Sequence, residues 1–361
     1  MSTRGSIRLA TRGSDLALRQ AASVSDRLAG RRRTVETVEV STRGDEIRDE
    51  LIHRLGKTGA FVRALDEQVL GDDVDAAVHS MKDMPTESPA ELVVAGVPDR
   101  ATAGDVLVTR DGVDLEDLPA KATVGTSSLR RGAQLRAERP DLQIEPLRGN
   151  VDTRLEKLLA PGLQREHQQR LEAADETEGE HPDAFEASVE EWFDALSELE
   201  RQALERAVET EYDAVVLAEA GLERSGLLET VGTVRLPKER FVPSPGQGAI
   251  AVTARAGTDA VETIRSAIDD PVTRVETTVE RTILAELGGG CIAPIGVYAV
   301  VQGEYVRVIV QVLSLDGTET IERTANLPIE DHADAAAALA ADLREAGAAA
   351  LIDRAREEAD G

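Results

Sequence analysis

Short β-branched and aliphatic runs alternate with longer stretches of helical period through the first hundred residues, and nothing else in the chain constrains its fold as much. "SIRLATR", "TVETVEV" and "DAAVHSM" read as strands, while "SDLALRQAASVSDRLA" and "FVRALDEQVL" repeat apolar residues at helical spacing. Strand and helix in this order predict βαβ units around a mostly parallel sheet. Ser14 stands where a helix N-cap is expected, and Asp15 suits the first turn.

A second set begins near residue 104 with "DVLVTR", "ATVGTSS", the helical "LRRGAQLRAER", "LQIEPLR", the helical "NVDTRLEKLLA" and "YDAVVLAEAGL". It predicts another α/β unit. From about 271 the pattern changes to a helix, "RVETTVERTILAEL", then three strands, "IGVYAVV", "YVRVIVQVLS" and "ETIERTANL", and one Ala-rich helix over roughly 332–356. That order predicts a small α+β unit with an antiparallel sheet. A chain of 361 residues has room for two or three such units, each with its own interior. Residues 161–209 stand apart. There "HQQRLEAADETEGEHPDAFE" predicts a polar loop, and Val189, Trp192, Phe193, Leu196, Leu199, Ala203, Ala207 and Val208 predict an amphipathic helix packed on the domain, a partner-binding helix being the alternative.

Strand ends followed by polar turns are where open α/β sheets place their ligands. Four such places carry Arg, Ser or Thr: "ATRGSD" (Arg12, Ser14), "STRGDE" (Arg43), "GTSSLRRG" (Thr126, Ser127, Ser128, Arg130, Arg131) and "LRGNVDTR" (Arg148, Asn150, Arg154). The planar fork of Arg matches a carboxylate two bonds at a time, and hydroxyls and helix N-terminal amides complete an anion site. The surroundings sharpen the inference, because 68 Asp and Glu against 41 Lys and Arg give a net charge of -27. Such a surface repels nucleic acid and anionic membranes, so no partner of either kind is expected. Arginines gathered at strand ends in so acidic a chain predict a ligand with several carboxylates or phosphates. "GGGC" at 288–291 lacks the Lys and Ser/Thr of a phosphate loop, which favours carboxylates.

Lys occurs only at 57, 82, 121, 157 and 238. Excess acid with little Lys is what a protein of concentrated salt carries, since screening removes the self-repulsion. The single cysteine, Cys291, excludes an internal disulfide and a cysteine-rich metal site. It sits in "AELGGGCIAPIG", where glycines admit a bulky group to the sulfur, so it is a candidate nucleophile or attachment point as well as a candidate inert thiol. No metal site is expected. No apolar run has the length of a signal peptide or a membrane span, so the expected compartment is the cytoplasm. "AVHSMKDMP" ends a strand with His79, Ser80, Lys82 and Asp83, and Asp83 is the acid best placed for chemistry, a cap role being the alternative.

Taken in order, "ATRGSDLALRQA", "STRGDEI", "DAAVHSMKDMP", "VGTSSLRRGAQL", "LRGNVDTRL", "LAEAGLERSG", "GQGAIAV" and "LGGGCIAPIG" resemble the hydroxymethylbilane synthase family, also called porphobilinogen deaminases, from residue 7 to about 296. The resemblance implies two α/β lobes like those of periplasmic binding proteins, plus a small C-terminal α+β domain. It implies a monomer that joins four porphobilinogen molecules head to tail, releasing ammonia at each step. It also implies a dipyrromethane cofactor held by a thioether to Cys291, with Arg130, Arg131, Ser128, Lys82 and Asp83 around it. Arg12, Arg148, Arg154 and Arg224 would take the acetate and propionate groups of the chain, along with Arg130 and Arg131, and Ser14, Ser80, Thr126 and Asn150 would support them. Asp83 would be the catalytic carboxylate, at a mouth running from His79 to Asp83, where it helps ammonia leave and stabilises a positively charged azafulvene-like intermediate.

The family's return of the chain to its first lobe implies residues 1–103 with 244–267 as domain 1, 104–243 as domain 2 and 268–361 as domain 3. Three departures stand out. "GKTGAF" shifts the loop lysine to Lys57, the acidic stretch 161–209 is an insertion expected to lie on the surface without touching catalysis, and Ser244 and Pro245 replace more apolar residues near the hinge. A non-catalytic two-lobed binder of anions, or a relative that has lost activity, would share the fold and the arginines.

Overall fold

A computed structural model describes residues 5–30, 33–40, 60–176, 185–288 and 293–360. The first lobe opens with β1 (Gly5–Thr11), α1 (Asp15–Leu28), β2 (Arg33–Glu39), α2 (Ala60–Leu70), β3 (Ala76–Ser80) and β4 (Leu92–Gly96). The chain then crosses to a second lobe, made of β5 (Asp105–Thr109), β6 (Thr123–Gly125), α3 (Leu129–Glu138), β7 (Gln143–Glu145), α4 (Val151–Glu176), α5 (Val189–Ala195), α6 (Glu198–Leu204), β8 (Ala214–Ala218), α7 (Glu219–Ser225) and β9 (Gly232–Arg235). It returns to the first lobe through β10 (Ile250–Arg255) and α8 (Asp259–Ile268). The C-terminal unit holds α9 (Pro271–Glu286), β11 (Ile295–Gln302), β12 (Tyr305–Leu313), β13 (Thr320–Pro328), α10 (His332–Glu345) and α11 (Ala348–Asp360). Two α/β lobes and a small α+β unit are therefore present, as the alternating pattern predicts.

The lobes carry five-stranded sheets in the orders β2-β1-β3-β10-β4 and β7-β6-β8-β5-β9, and the C-terminal sheet runs β11-β12-β13. The expectation of mostly parallel sheets needs correcting. In the first, β1 pairs parallel with β2 and β3, while β10 pairs antiparallel with β3 and β4. In the second, β6 pairs parallel with β7 and β8, while β5 pairs antiparallel with β8 and β9. The strands that arrive from the other lobe, β5 and β10, are not reached through a βαβ crossover within their own sheet, so no connection imposes a parallel pairing, and each enters antiparallel.

Each sheet buries its own core. Leu9, Ala76, Val78, Val252 and Ala254 meet Val24 and Leu28 of α1 and Ile264 and Ile268 of α8. In the second lobe Leu107, Val124, Ala214 and Val216 pack beneath Leu135 and Phe241 on one face, and Val106, Val108, Val215 and Leu217 pack against Leu155 and Leu158 on the other. Val297, Ala299, Val308 and Val310 lie under Val279, Ile283, Leu343 and Ile352. A wholly buried Leu or Ile such as Leu28 or Ile264 contributes on the order of 2 kcal/mol of burial free energy.

Three helical expectations also change. Residues 167–176 are helix rather than loop, because α4 continues through Pro161 to Glu176. The lost hydrogen bond at Pro161 is offset by packing, as Ala160 and Leu163 sit under Trp192, Leu196 and Ala203. The expected helix over 189–208 is two helices, each opened by a capping box, Ser188 with Glu191 and Ser197 with Glu200. The Ala-rich helix over 332–356 is also two, broken at Gly347, whose φ of 100° interrupts the helix.

Candidate active site

The turn after β3 explains why an apolar strand ends in charged residues. Met81 N–H donates to Ala249 O at 3.0 Å, and Met81 and Met84 are buried with Val62, Val97, Ala249 and Ala251. Two apolar anchors three residues apart hold the 3₁₀ turn Met81–Asp83 against the first lobe. Lys82 is left half-buried and Asp83 exposed. His79 points the other way. It is 4% exposed, with Nε2 3.0 Å from Thr253 Oγ1 and 3.1 Å from Asp66 Oδ1, so the polar end of this strand begins at Ser80 and His79 belongs to the interior. Arg281, from α9, donates to Pro85 O at 2.6 Å and fixes the chain just beyond.

Facing this turn, the second lobe holds a buried knot of charge. Asp105, at the head of β5, accepts from Arg130 Nη2 at 2.8 Å, from Arg131 Nε and Nη2 at 3.0 and 2.7 Å, and from Gln247 Nε2 at 2.9 Å. Burial pushes the Asp105 carboxyl up, but the two guanidiniums win and hold it well below the usual carboxylate range. Arg130 is 4% exposed and also donates to Gln134 Oε1 and Val242 O at 2.7 and 2.8 Å, so its guanidinium is committed to the knot. Arg131 is 6% exposed and donates to Val216 O at 3.1 Å. Ser128 caps α3 by accepting from Arg131 N at 3.4 Å, and buried Thr126 accepts from Ser128 N at 3.2 Å. These hydroxyls position the arginines.

The cations outnumber their partners. Burial lowers the Lys82 ammonium; Asp83 opposes that, while Arg131 and Arg154 push the same way. Burial, aided by Arg131 and opposed by Asp83, brings the Arg154 guanidinium down to about 10. Lys82, Arg130, Arg131 and Arg154 thus make four cations against Asp83 and Asp105, a net charge of +2 inside a strongly acidic protein. Such an imbalance is met by an anionic ligand.

The remaining predicted residues frame this cluster. Arg154 Nε donates to Gly149 O at 2.8 Å, and the half-buried Arg148 keeps Nη1 buried with no hydrogen-bond partner. Asn150 is exposed at the start of α4 and accepts from Arg154 N at 3.1 Å through its carbonyl. Ser14 caps α1 by accepting from Ala17 N at 3.4 Å, and Arg12 lies half-buried at the end of β1. Ser80 closes β3, paired with Ile250. Arg224 Nη2 donates to Gly248 O at 2.6 Å and so ties the second lobe to the returning crossover. Cys291, Arg43 and Lys57 lie outside the described residues.

Sequence reasoning missed the residues that hold the lobes around the site. Gln247 donates to Gly104 O at 3.1 Å as well as to Asp105, linking the two crossovers. Glu280, wholly buried on α9, takes both Arg100 nitrogens at 2.8 and 3.0 Å and accepts from Gly246 N at 2.7 Å and Ala299 N at 2.9 Å. One available signal was "LRRGAQ", in which adjacent arginines near a helix start need a buried carboxylate if both point inward. Among the described residues no group of His, Cys, Asp and Glu could hold a metal ion, and no helix is long and apolar enough to cross a membrane.

Comparison with known proteins decides the family. The model described as "Porphobilinogen deaminase, dipyromethane cofactor binding domain" matches residues 7–168 and 200–286, and "Porphobilinogen deaminase, C-terminal domain" matches 275–345. This chain belongs to the porphobilinogen deaminase family. The family's activity, hydroxymethylbilane synthase, is that of a transferase. A "Probable porphobilinogen deaminase" of Halobacterium salinarum is 55% identical over 98% of this chain and 99% of that protein. A "Porphobilinogen deaminase" of Roseiflexus castenholzii is 37% identical over 97% and 99%. A TRAP solute binding protein from a marine metagenome aligns over 99% of this chain and 98% of its own, at 10% identity and a TM-score of 0.34. The porphobilinogen deaminase match leaves out 169–199, inside the acidic stretch that the sequence sets apart. The domain holding the cluster is the family's dipyrromethane-binding domain, and a site with net charge +2 and a buried, unpartnered Arg148 nitrogen fits a ligand carrying several carboxylates.

Proposed function

We propose that this chain works as a hydroxymethylbilane synthase, condensing four porphobilinogen molecules into a linear tetrapyrrole with release of ammonia. One observation carries the reading: an exposed carboxylate, Asp83, within electrostatic reach of a half-buried cluster whose cations exceed its anions. Arg131, Arg154 and Lys82 attract the acetate and propionate of each ring, and Arg148, Arg12 and Arg224 extend the cationic surface. Asp83 holds the proton that the departing amine needs and, once ionised, stabilises the positive charge left on the incoming ring.

Cys291 would carry the dipyrromethane as a thioether, with Ser128, Arg130 and Arg131 shaping its pocket. When bound, that group supplies the pyrrole carbon from which the chain grows. Arg130 acts indirectly in this scheme, since its nitrogens on Asp105 and Gln134 orient Arg131. The lobes are taken as 1–103 with 244–267 and as 104–243, with 268–361 as the third domain. Hinge motion at the paired crossovers then makes room for the lengthening chain. The protein is expected to act as a cytoplasmic monomer, without nucleic acid or membrane, and to need concentrated salt.

The test is the intact mass of the purified chain before and after porphobilinogen is added in concentrated salt. The expected result is an excess of two pyrrole units that is lost in Cys291→Ser, then stepwise additions that Asp83→Asn slows by at least about a hundredfold, the scale of general acid–base catalysis. A bare mass that never changes, even after refolding with porphobilinogen, would favour a non-catalytic anion binder.

A further inference from the structure

The acidic excursion was expected to be a bystander, yet it packs on the helix that carries Arg154. Beyond Arg154, α4 presents Lys157 one turn later, and its Nζ donates to Arg148 O at 3.2 Å. Arg148 brings its buried, unpartnered Nη1 to the same place. From the other side comes Arg206, two residues past the end of α6. Gln164 of α4 donates to Leu204 O and Arg206 O at 3.1 and 2.8 Å, which holds the returning segment against the helix. The guanidinium of Arg206 bonds Glu156, a buried carboxylate beside Lys157. Arg206, Arg154 and Arg148 all add to the burial that lowers the Lys157 ammonium, with Glu209 the opposing acid.

A row of cations therefore runs from Lys82 and Arg131 through Arg154 to Lys157 and Arg206. With Arg130 committed to Asp105 and Gln134, Arg131 sharing Asp105 with it, and Arg224 bonded to Gly248 O, few charges of the inner cluster remain for a chain that gains two carboxylates per ring. We propose that Lys157, with Arg148, is a carboxylate subsite for the distal rings of the growing chain, and that the excursion completes it by placing Arg206 alongside. Glu156 fixes Arg206 there by pairing with its guanidinium, and the free positive charge of the row is carried by Lys157 and Arg148. The inference rests on the polymerase reading, and its test separates the two.

Lys157→Gln and Lys157→Arg are compared with the unaltered chain in two measurements. The first is the distribution of covalent intermediates by intact mass after a porphobilinogen pulse. The expected result is that Lys157→Gln slows the last additions about tenfold more than the first, and that Lys157→Arg restores the unaltered pattern. The second, independent of turnover, is calorimetric binding of benzenehexacarboxylate, expected to be about fivefold weaker in Lys157→Gln at one fixed salt concentration. Equal slowing at every step, or unchanged benzenehexacarboxylate affinity, would overturn the subsite. An unaltered chain that builds no ladder would sink the polymerase reading, and the binding measurement would still decide whether Lys157 takes carboxylates.

Discussion

Asp105 shows how one side chain sets the character of the site. It is 1% exposed and accepts four hydrogen bonds, three of them from guanidiniums, so removing its charge strands two buried cations. Asp105→Asn is expected to cost about 3–5 kcal/mol of stability, the usual loss when one member of a buried ion pair is removed, read as a shift in denaturant midpoint at constant salt. The sign of its pH dependence follows from a carboxyl held below its unfolded value of about 3.9. The stabilisation is fully present above about pH 5, begins to fall as the pH drops through the unfolded value and is lost only as acid approaches the much lower folded-state value, so the stability gap between the two proteins should narrow progressively below about pH 4. Arg130 and Arg131 were legible as important because they follow a strand end in a polar turn, where open α/β sheets place their ligands. That Arg130 grips Asp105 was not, because that partner lies 25 residues away and only the fold sets the distance, whereas Gln134, four residues on along the same helix, is a local neighbour.

At the scale of elements, local chemistry located starts better than ends. Ser14, Ser128, Ser188 and Ser197 all cap helices, which follows from a hydroxyl that can satisfy an amide lacking an intrahelical partner. Both capping boxes were written in "SVEE" and "SELE", although an unbroken apolar period suggested one helix there. Ser188→Ala and Ser197→Ala are each expected to cost about 1 kcal/mol of helix stability. Trp192 stacks on His167 at 5.7 Å, so the fluorescence of this single Trp during denaturation reads the excursion directly, and an unchanged transition would argue that packing alone holds these helices. At Pro161 packing overrides local chemistry. A local rule ends the helix there, but Leu163, Trp192 and Leu196 pack across it, and tertiary burial outweighs one missing hydrogen bond.

At the scale of the molecule, the charge of -27 and the buried ties between units act on stability together. Self-repulsion among surface acids is strongest in dilute buffer, while the ties through Asp105 and Glu280 are shielded from solvent. The melting temperature is therefore expected to rise steeply between 0.1 M and molar potassium chloride, following the Debye length as it falls from about 10 Å to about 3 Å. A melting temperature independent of salt would count against adaptation to concentrated salt. Gly248 shows how tightly the crossovers meet: its φ is 84°, and a Cβ there would collide with the Ala101 carbonyl. The sequence by itself determined the α/β lobes, the antiparallel C-terminal sheet, the arginines at strand ends and Asp83 beyond an apolar strand, because periodicity, capping and charge are local properties of a chain. Only the tertiary structure decided that β5 and β10 run antiparallel, that Asp105, Gln247 and Glu280 bind the lobes together, that His79 turns inward and that the excursion reaches the cationic row. Each of these depends on which distant segments meet, and that is settled by packing across the whole molecule.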